Sequence, residues 1–293
     1  MTRVSRNKEL FVLLLVSMLL TAGCTSSSNN SAINDPYEKQ DISGVWLGSM
    51  GSKFNSTFIV GIFTTEDNDH FSGRLIGQDT YNQYKQFISR DGSFLTQTPE
   101  SAIFTGYLED CSWDTSGLDY YSTLPLQSVY IIGSASTKRV FGGAPFGVYS
   151  YGSNSETGII ALYYNTTYDV TPDVNNIGGE WEIHDAIQKD NTIVLNIITS
   201  TANTKGASIS GHDDLNNTFN GTIEIYYSPL DNKPHNIYDV NLKLNNSIDL
   251  TGLAAYVLEG HTGGIFVSKK TLAIGATNTD KSYSLSGLAE FIK

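Results

Sequence analysis

The sequence predicts an all-β fold built as two tandem antiparallel β-barrels or barrel-like sandwiches. Three observations lead to this prediction. Short segments rich in Val, Ile, Phe and Tyr recur along the chain, Gly, Asn, Asp and Ser usually separate them, and one set of motifs occurs twice. No stretch of ten residues shows a convincing helical period of apolar positions.

The predicted strands are short and apolar, with turn residues between them. Eight segments fit this description: Thr57–Phe63, Ser101–Leu108, Ser128–Gly133, Gly158–Tyr164, Thr192–Thr199, Thr222–Tyr227, Tyr238–Leu244 and Gly264–Ser268. Alternation is clearest in the sixth, where Ile223, Ile225 and Tyr227 fall on one face. Asp91-Gly92 is typical of a hairpin turn, and Asn220-Gly221 suits either a turn or a bulge within a strand.

The repeated motifs indicate an internal duplication. Ile42–Trp46 (ISGVW) opens one half and Ile177–Trp181 (IGGEW) opens the other. Each opening leads into an apolar strand and then into a Ser-Gly step, Ser72-Gly73 and Ser210-Gly211. A chance match of short patterns is the alternative. Three parts are predicted, each β part of an ordinary domain size: a first β domain over 41–168, a linker over 169–176 and a second β domain over 177–293.

The N-terminus has the three parts of an export signal. The first eight positions hold three basic residues, and the 13 residues Leu10–Ala22 are apolar. As a helix this run is roughly 20 Å long, too short to cross a hydrocarbon core of about 30 Å comfortably. It ends in Leu20–Cys24 (LTAGC), whose small residues suit a peptidase cleft.

This ending resembles the lipobox of bacterial lipoproteins, with Thr21 where the family usually has Leu. The resemblance implies a signal peptide over 1–23, cleavage between Gly23 and Cys24, and acylation of Cys24. Residues 24–40 are polar and would form a flexible tether. The alternatives are an ordinary secretory signal with a chance cysteine and an uncleaved membrane anchor.

The residue after Cys24 and the overall charge bear on where the chain works. The resemblance implies the outer membrane as the destination, if the host has one, because Thr25 is not Asp. The 18 basic and 30 acidic residues give a net charge of −12, which argues against nucleic acid as a partner. Lipidation of Cys24 leaves Cys111 without a disulfide partner. Its acidic neighbours disfavour the thiolate, so we expect a structural role, with catalysis or an intermolecular bond as alternatives.

The two opening motifs carry a second resemblance. Gly44-x-Trp46 and Gly179-x-Trp181 resemble the first-strand motif of lipocalins and of avidin-type barrels over about a dozen residues. In such barrels Trp plugs the closed end, and Gly permits close approach of the backbone. Two glycine- and phenylalanine-rich segments, Phe141–Gly147 and Gly263–Phe266, are similar to surface lipoprotein barrels of the transferrin-binding type. Both resemblances imply a barrel, and neither implies a particular ligand.

The residues that carry chemistry form no recognisable catalytic or metal motif. The five histidines lack the i, i+4 spacing of a zinc protease, and there is no Cys-x-x-Cys and no Gly-x-Ser-x-Gly. We therefore predict no catalytic residue, metal or cofactor. Calcium at the acidic turns Glu66–Asp69 and His212–Asn216 is an alternative, although turn chemistry accounts for them. Carboxylate pairs for glycoside hydrolysis are brought together by the fold, so their presence stays open.

Aromatic residues are the strongest remaining signal, with 17 tyrosines and several adjacent Tyr pairs. Successive side chains of a strand point to opposite faces, so one ring of each pair should face outward. The candidate ligand or contact residues are Trp46, Trp181, Tyr121, Tyr164 and Tyr226. The alternative for all five is aromatic packing across strands.

Taken together, the sequence predicts a cell-envelope lipoprotein. It would be held at the membrane by the N-terminal lipid and would bind a protein partner or a small ligand through its barrels, without catalysis. One alternative is a hydrolase of envelope polysaccharide or lipid with a site built from loops. The other is a structural protein of envelope assembly.

Overall fold

The computed structural model describes residues 43–51, 56–65, 70–78, 84–97, 101–112, 121, 127–136, 146–151, 156–185, 191–229, 232–262 and 265–293. Within them the chain is all-β, as predicted, apart from two short 3-10 turns. No helix in these ranges is long and apolar enough to span a membrane. The predicted signal peptide, Cys24 and the tether lie outside the described residues, as do 141–145 and 263–264.

The first half forms a closed antiparallel barrel of eight strands, here the first barrel. Each strand pairs with its neighbours in the sequence, and the first strand also pairs with the eighth. The strands are β1 (Gly44–Met50), β2 (Ser56–Thr65), β3 (His70–Gln78), β4 (Tyr84–Gln97), β5 (Ser101–Asp110), β6 (Gln127–Ser136), β7 (Phe146–Tyr151) and β8 (Glu156–Asn165). Closure leaves the sheet without a free edge.

The second half forms another closed antiparallel barrel of eight strands, here the second barrel. Its strands are β9 (Gly179–Asp185), β10 (Asn191–Ser200), β11 (Asn203–Asp213), β12 (Thr218–Tyr227), β13 (Pro234–Leu244), β14 (Ile248–Val257), β17 (Thr271–Thr277) and β18 (Ser284–Phe291). A hairpin of β15 (Gly260–Thr262) and β16 (Ile265–Val267) is inserted between β14 and β17.

The two barrels are joined by an ordered connector of two 3-10 turns, Thr166–Asp169 and Val174–Asn176. Each turn is capped by a side-chain oxygen, of Asn165 and of Asp173, which accepts a hydrogen bond from the backbone N–H two residues further on. Asn236 on β13 donates to a connector carbonyl at 2.8 Å. The predicted linker falls in this connector, which is packed against the second barrel.

The core of the second barrel follows from the two-residue period of its strands. In β10 the side chains of Ile193, Leu195 and Ile197 are buried, whereas Asn196 and Ile198 are exposed. The largest fully buried side chains of this barrel are Trp181, Phe219 and Tyr238. Large apolar and aromatic side chains therefore occupy the described interior of the second barrel.

The outer faces of the barrels also pack on each other, and Lys39–Lys293 forms one compact unit. Ile76 on β3 and Gln86 on β4 point away from the first barrel's interior, yet both are fully buried. A Cβ atom at Gly275 on β17 would lie 2.3 Å from Gln86 Oε1 and 3.0 Å from Ile76 Cδ1. Gln86 accepts from Arg74 Nη1 at 2.9 Å and donates to Ser284 Oγ at 2.7 Å. The interface is therefore close, with its buried amide hydrogen-bonded across the barrels.

Candidate functional site between the barrels

Trp46 and Tyr164 lie together in the first barrel. Their side chains are 3% and 5% exposed, and the rings meet edge to face with centroids 5.2 Å apart. A Cβ atom at Gly44 would lie 2.7 Å from Tyr164 Cε2, so a side chain at this position would clash with the ring. Trp46 and Tyr164 are therefore part of the core of the first barrel.

Trp181 holds the corresponding place in the second barrel and is fully buried. Its Nε1 donates to the Ile177 carbonyl at 2.8 Å, and its ring meets Tyr256 and Phe291 edge to face. Here the glycine of the motif, Gly179, has φ +121°, a backbone conformation that residues with a side chain rarely adopt. The two motif positions thus require glycine for different reasons: Gly44 leaves space for the Tyr164 ring, and Gly179 permits a positive φ.

Tyr121 belongs to the first half of the chain but contacts the second barrel. Its hydroxyl donates to Asp213 Oδ2 at 2.7 Å, its ring meets Phe219 edge to face, and its carbonyl accepts from Ser284 N at 2.9 Å. Tyr226 is half-buried against the core. Trp46, Trp181, Tyr121 and Tyr164 therefore form no exposed contact surface, and their burial agrees with the alternative of aromatic packing.

The titratable residues form no metal cluster in the described part of the chain: no group of three or more His, Cys, Asp or Glu is arranged to hold a metal ion there. His235 stacks on Tyr168 with ring centroids 4.5 Å apart. Cys111 is buried, and burial raises the pKa of its thiol to about 12, although nearby Arg74 and Lys281 oppose this shift. The thiol is therefore neutral and shielded.

A cleft of about 270 Å³ opens between the two barrels. Its walls come from β2, β3 and β4 of the first barrel and from β9, β16, β17 and β18 of the second barrel. The described lining residues are Phe58, Gln78, Tyr84, His184, Val267, Ser268, Lys269, Thr271, Leu288 and Glu290. We call it the interbarrel cleft.

The cleft lies on the seam between β9 and β18, where the second barrel closes. Two residue pairs form the strand pairing of this seam: Trp181 with Phe291 and Glu182 with Glu290. By contrast, β17 and β18 pair at seven positions. Continued in the same register, the strands would bring His184 opposite Leu288, two positions beyond the Glu182–Glu290 pair; these two residues do not pair, and both line the cleft. Tyr84 of the first barrel donates its hydroxyl to the Leu288 carbonyl at 3.5 Å.

The charges at the cleft are paired with one another. Lys269 forms an ion pair with Glu290, and His184 Nε2 lies 3.2 Å from a carboxylate oxygen of Glu182. The side chains of Lys269 and His184 are more than half exposed, so these pairs contribute little to stability. The lining of the cleft thus combines a cation and an anion, Lys269 and Glu290, with the apolar side chains of Phe58, Val267 and Leu288.

Sequence reasoning missed this site because its walls come from distant segments that meet only when the barrels pack. Two carboxylates do lie opposite each other elsewhere, Glu224 and Asp239 on β12 and β13. Burial first, and Glu224 second, raise the pKa of Asp239. They lie on neighbouring strands away from the cleft, whose described lining holds Glu290 as its one carboxylate. No protein-family model matches the chain, and no curated protein or solved structure is found to be similar to it.

Proposed function

We propose that this chain is a lipid-anchored, non-enzymatic protein of a bacterial cell envelope that binds a partner in the interbarrel cleft. The anchor rests on Leu20–Cys24 and on the polar segment that follows it. The outer membrane is the proposed destination if the host has one. The membrane contact would be made by acyl chains, since a chain of net charge −12 is not drawn to anionic lipid headgroups.

One observation carries the choice of the cleft: large buried side chains occupy the described interior of the second barrel, whereas the space between the barrels opens to solvent. Trp181, Phe219 and Tyr238 occupy the core of that barrel and are fully buried. A ligand carried inside it would have to displace close-packed side chains, which is energetically costly. The interbarrel cleft requires no such displacement, and its polar groups already face solvent.

We also propose that the two barrels arose by internal duplication. The Gly-x-Trp motifs lie in β1 and β9, the first strand of each barrel, and the Ser-Gly steps lie in β3 and β11, the third strand of each. A Cβ atom at Gly73 would lie 2.6 Å from the Ile62 carbonyl oxygen, and one at Gly211 would lie 2.4 Å from that of Val194. The same steric requirement at the same place supports a common origin.

The anchor is tested by metabolic labelling with alkyne-tagged palmitate in a bacterial host that expresses the full chain. We expect label on the wild type and its recovery with membranes. The Cys24→Ser variant should lose both the label and the membrane association, whereas Cys111→Ser should retain them. Label that persists in Cys24→Ser, or a wild type that carries none, would contradict the proposal.

A further inference from the structure

We infer that the interbarrel cleft binds an extended peptide segment whose main chain pairs with the edge of β9 at His184. This inference rests on the proposed binding function and names the class of partner. Three features support it: the direction of the polar backbone groups of β9, the apolar side chains in the lining of the cleft, and the balance of charge in that lining.

The backbone groups of β9 alternate in direction, and Glu180 reveals the phase. Its N–H donates to the Lys293 carbonyl at 2.7 Å, and its carbonyl accepts from Ile292 N at 2.9 Å. Every second residue of an antiparallel strand directs both groups to the same neighbour, so Glu182 and His184 also direct theirs toward β18. Glu182 has a partner there, whereas His184 has no strand partner on that side among the described residues.

On the β18 side, residues from the first half of the chain supply the hydrogen bonds that pairing with β9 would otherwise make. The Leu288 carbonyl accepts from the Tyr84 hydroxyl at 3.5 Å, and Ser284 N donates to the Tyr121 carbonyl at 2.9 Å. No corresponding group of the described chain reaches the β9 side at His184. An unpaired strand edge is a template for another extended chain, and addition of such a chain is a recurrent mode of peptide recognition.

The size and lining of the cleft suit a short stretch of such a chain. Its volume of about 270 Å³ is near the lower end of the roughly 300–1,000 Å³ typical of ligand pockets, so it would hold only a short stretch of a peptide. Phe58 from the first barrel and Val267 and Leu288 from the second barrel give the lining its apolar surface. Alternate side chains of an extended peptide would contact this apolar lining, while those between them face solvent.

The paired charges disfavour a free ion as the occupant. Lys269 and Glu290 compensate each other's charge, so neither presents an isolated charge to a small anion or cation. A neutral peptide backbone needs no opposite charge in the cleft. Its amides and carbonyls bond to the strand edge, and its side chains contact the apolar lining.

The experiment pans a phage-displayed library of random heptapeptides against the full chain in mild detergent, and enriched peptides are then synthesised and titrated. The blocking variant is Ser268→Arg, which adds a long side chain at an exposed position of the cleft. The matched control is Ser208→Arg, also an exposed serine but on the outer face of β11. A glycan array is probed in parallel with the same three proteins.

We expect the selected peptides to bind the wild type and Ser208→Arg alike, and to lose about tenfold or more in affinity with Ser268→Arg. N-methylation of the amide that pairs with the His184 edge should cost about tenfold, the equivalent of one lost hydrogen bond, whereas methylation of the adjacent amide should be tolerated. The inference is overturned if no peptide is enriched, or if neither N-methylation nor Ser268→Arg weakens binding. If a glycan binds the wild type and Ser268→Arg blocks it, the inference of a peptide partner is overturned, but the proposed binding function of the cleft stands. Absence of any ligand that Ser268→Arg blocks would overturn both.

Discussion

Cys111 shows what burial does to a single side chain. Its thiol is fully buried, and its pKa is raised to about 12 because a thiolate there would lose its hydration. In a Cys24→Ser background, where it is the one remaining cysteine, we expect almost no reaction with an aromatic disulfide reagent at pH 8 under native conditions. In urea one thiol per chain should react. Rapid labelling of the native protein would contradict the buried, neutral thiol.

The same shift predicts a pH dependence of stability. The unfolded thiol loses its proton near its usual pKa of 9.0, whereas the folded thiol keeps it to about 12. The unfolded state therefore binds fewer protons between these values, and the thiol's contribution, fully present below pH 9.0, is lost as pH rises toward 12. The slope is at most about 1.4 kcal/mol per pH unit. Urea titrations at pH 8 and pH 10 should show a larger loss of stability for wild type than for Cys111→Ala, and equal losses would refute this.

Gly73 and Gly211 give a prediction about close backbone approach. A Cβ atom at either position would lie within 2.6 Å of a carbonyl oxygen of the neighbouring strand, closer than real atoms pack. We expect Gly73→Ala and Gly211→Ala each to lower the free energy of unfolding by about 1–3 kcal/mol through overpacking. Gly51→Ala is the control, because its nearest atom would be 3.9 Å away and its backbone is unstrained. Two neutral variants would remove the steric argument from the proposed duplication.

Among the elements, the seam of the second barrel depends on a residue of the first half. Tyr121 donates to the buried carboxylate of Asp213, and a hydrogen bond to a charged group is worth about 1.5–3 kcal/mol. Asp213 keeps its bonds from Leu215 and Asn217, so we expect Tyr121→Phe to lose only about 1–2 kcal/mol. Hydrogen exchange at the Ser284 amide, which donates to the Tyr121 carbonyl, should become faster.

The control for this prediction is Tyr227→Phe, which removes a hydroxyl from a ring that is 39% exposed. It should leave both the stability and the exchange of the Ser284 amide unchanged. If Tyr121→Phe also leaves the stability and the Ser284 exchange unchanged, the Tyr121 hydroxyl does not stabilise the seam. The carbonyl bond to Ser284 would then be independent of the bond to Asp213.

Strand periodicity explains how far the elements were predictable. Alternation placed Ile223 and Ile225 on one buried face, as the structure has them. Tyr227 has the same spacing but is partly exposed, because the register with β13 shifts between Ile225 and Tyr227. None of the predicted segments covers β17 (Thr271–Thr277), every residue of which is buried. A strand covered on both faces loses its alternation and cannot be recognised by it.

For the whole molecule, local patterns predict the barrels better than they predict how the barrels meet. The Gly-x-Trp motifs and short strands pointed to barrels, since these features depend on neighbours in one sheet. The interbarrel cleft joins Phe58 to Leu288 and Glu290 across the chain, and no spacing encodes that contact. The nearest signal is the continuous run of small and apolar residues in β17, which suits a strand pressed between two layers.

The buried interface predicts that the two barrels unfold together. Gln86 is fully buried and bonded to Ser284 of the other barrel, so separation of intact barrels would expose apolar surface and leave this amide without its partner. With 5-fluorotryptophan in the full chain, we expect the fluorine resonances of Trp46 and Trp181 to disappear at the same urea concentration. Gly275→Ala forces a Cβ atom against Gln86 Oε1 and should separate the two midpoints, whereas Gly51→Ala should not. Two distinct midpoints in the wild type would mean that each barrel is stable by itself. The cleft would then lie between two domains that fold independently.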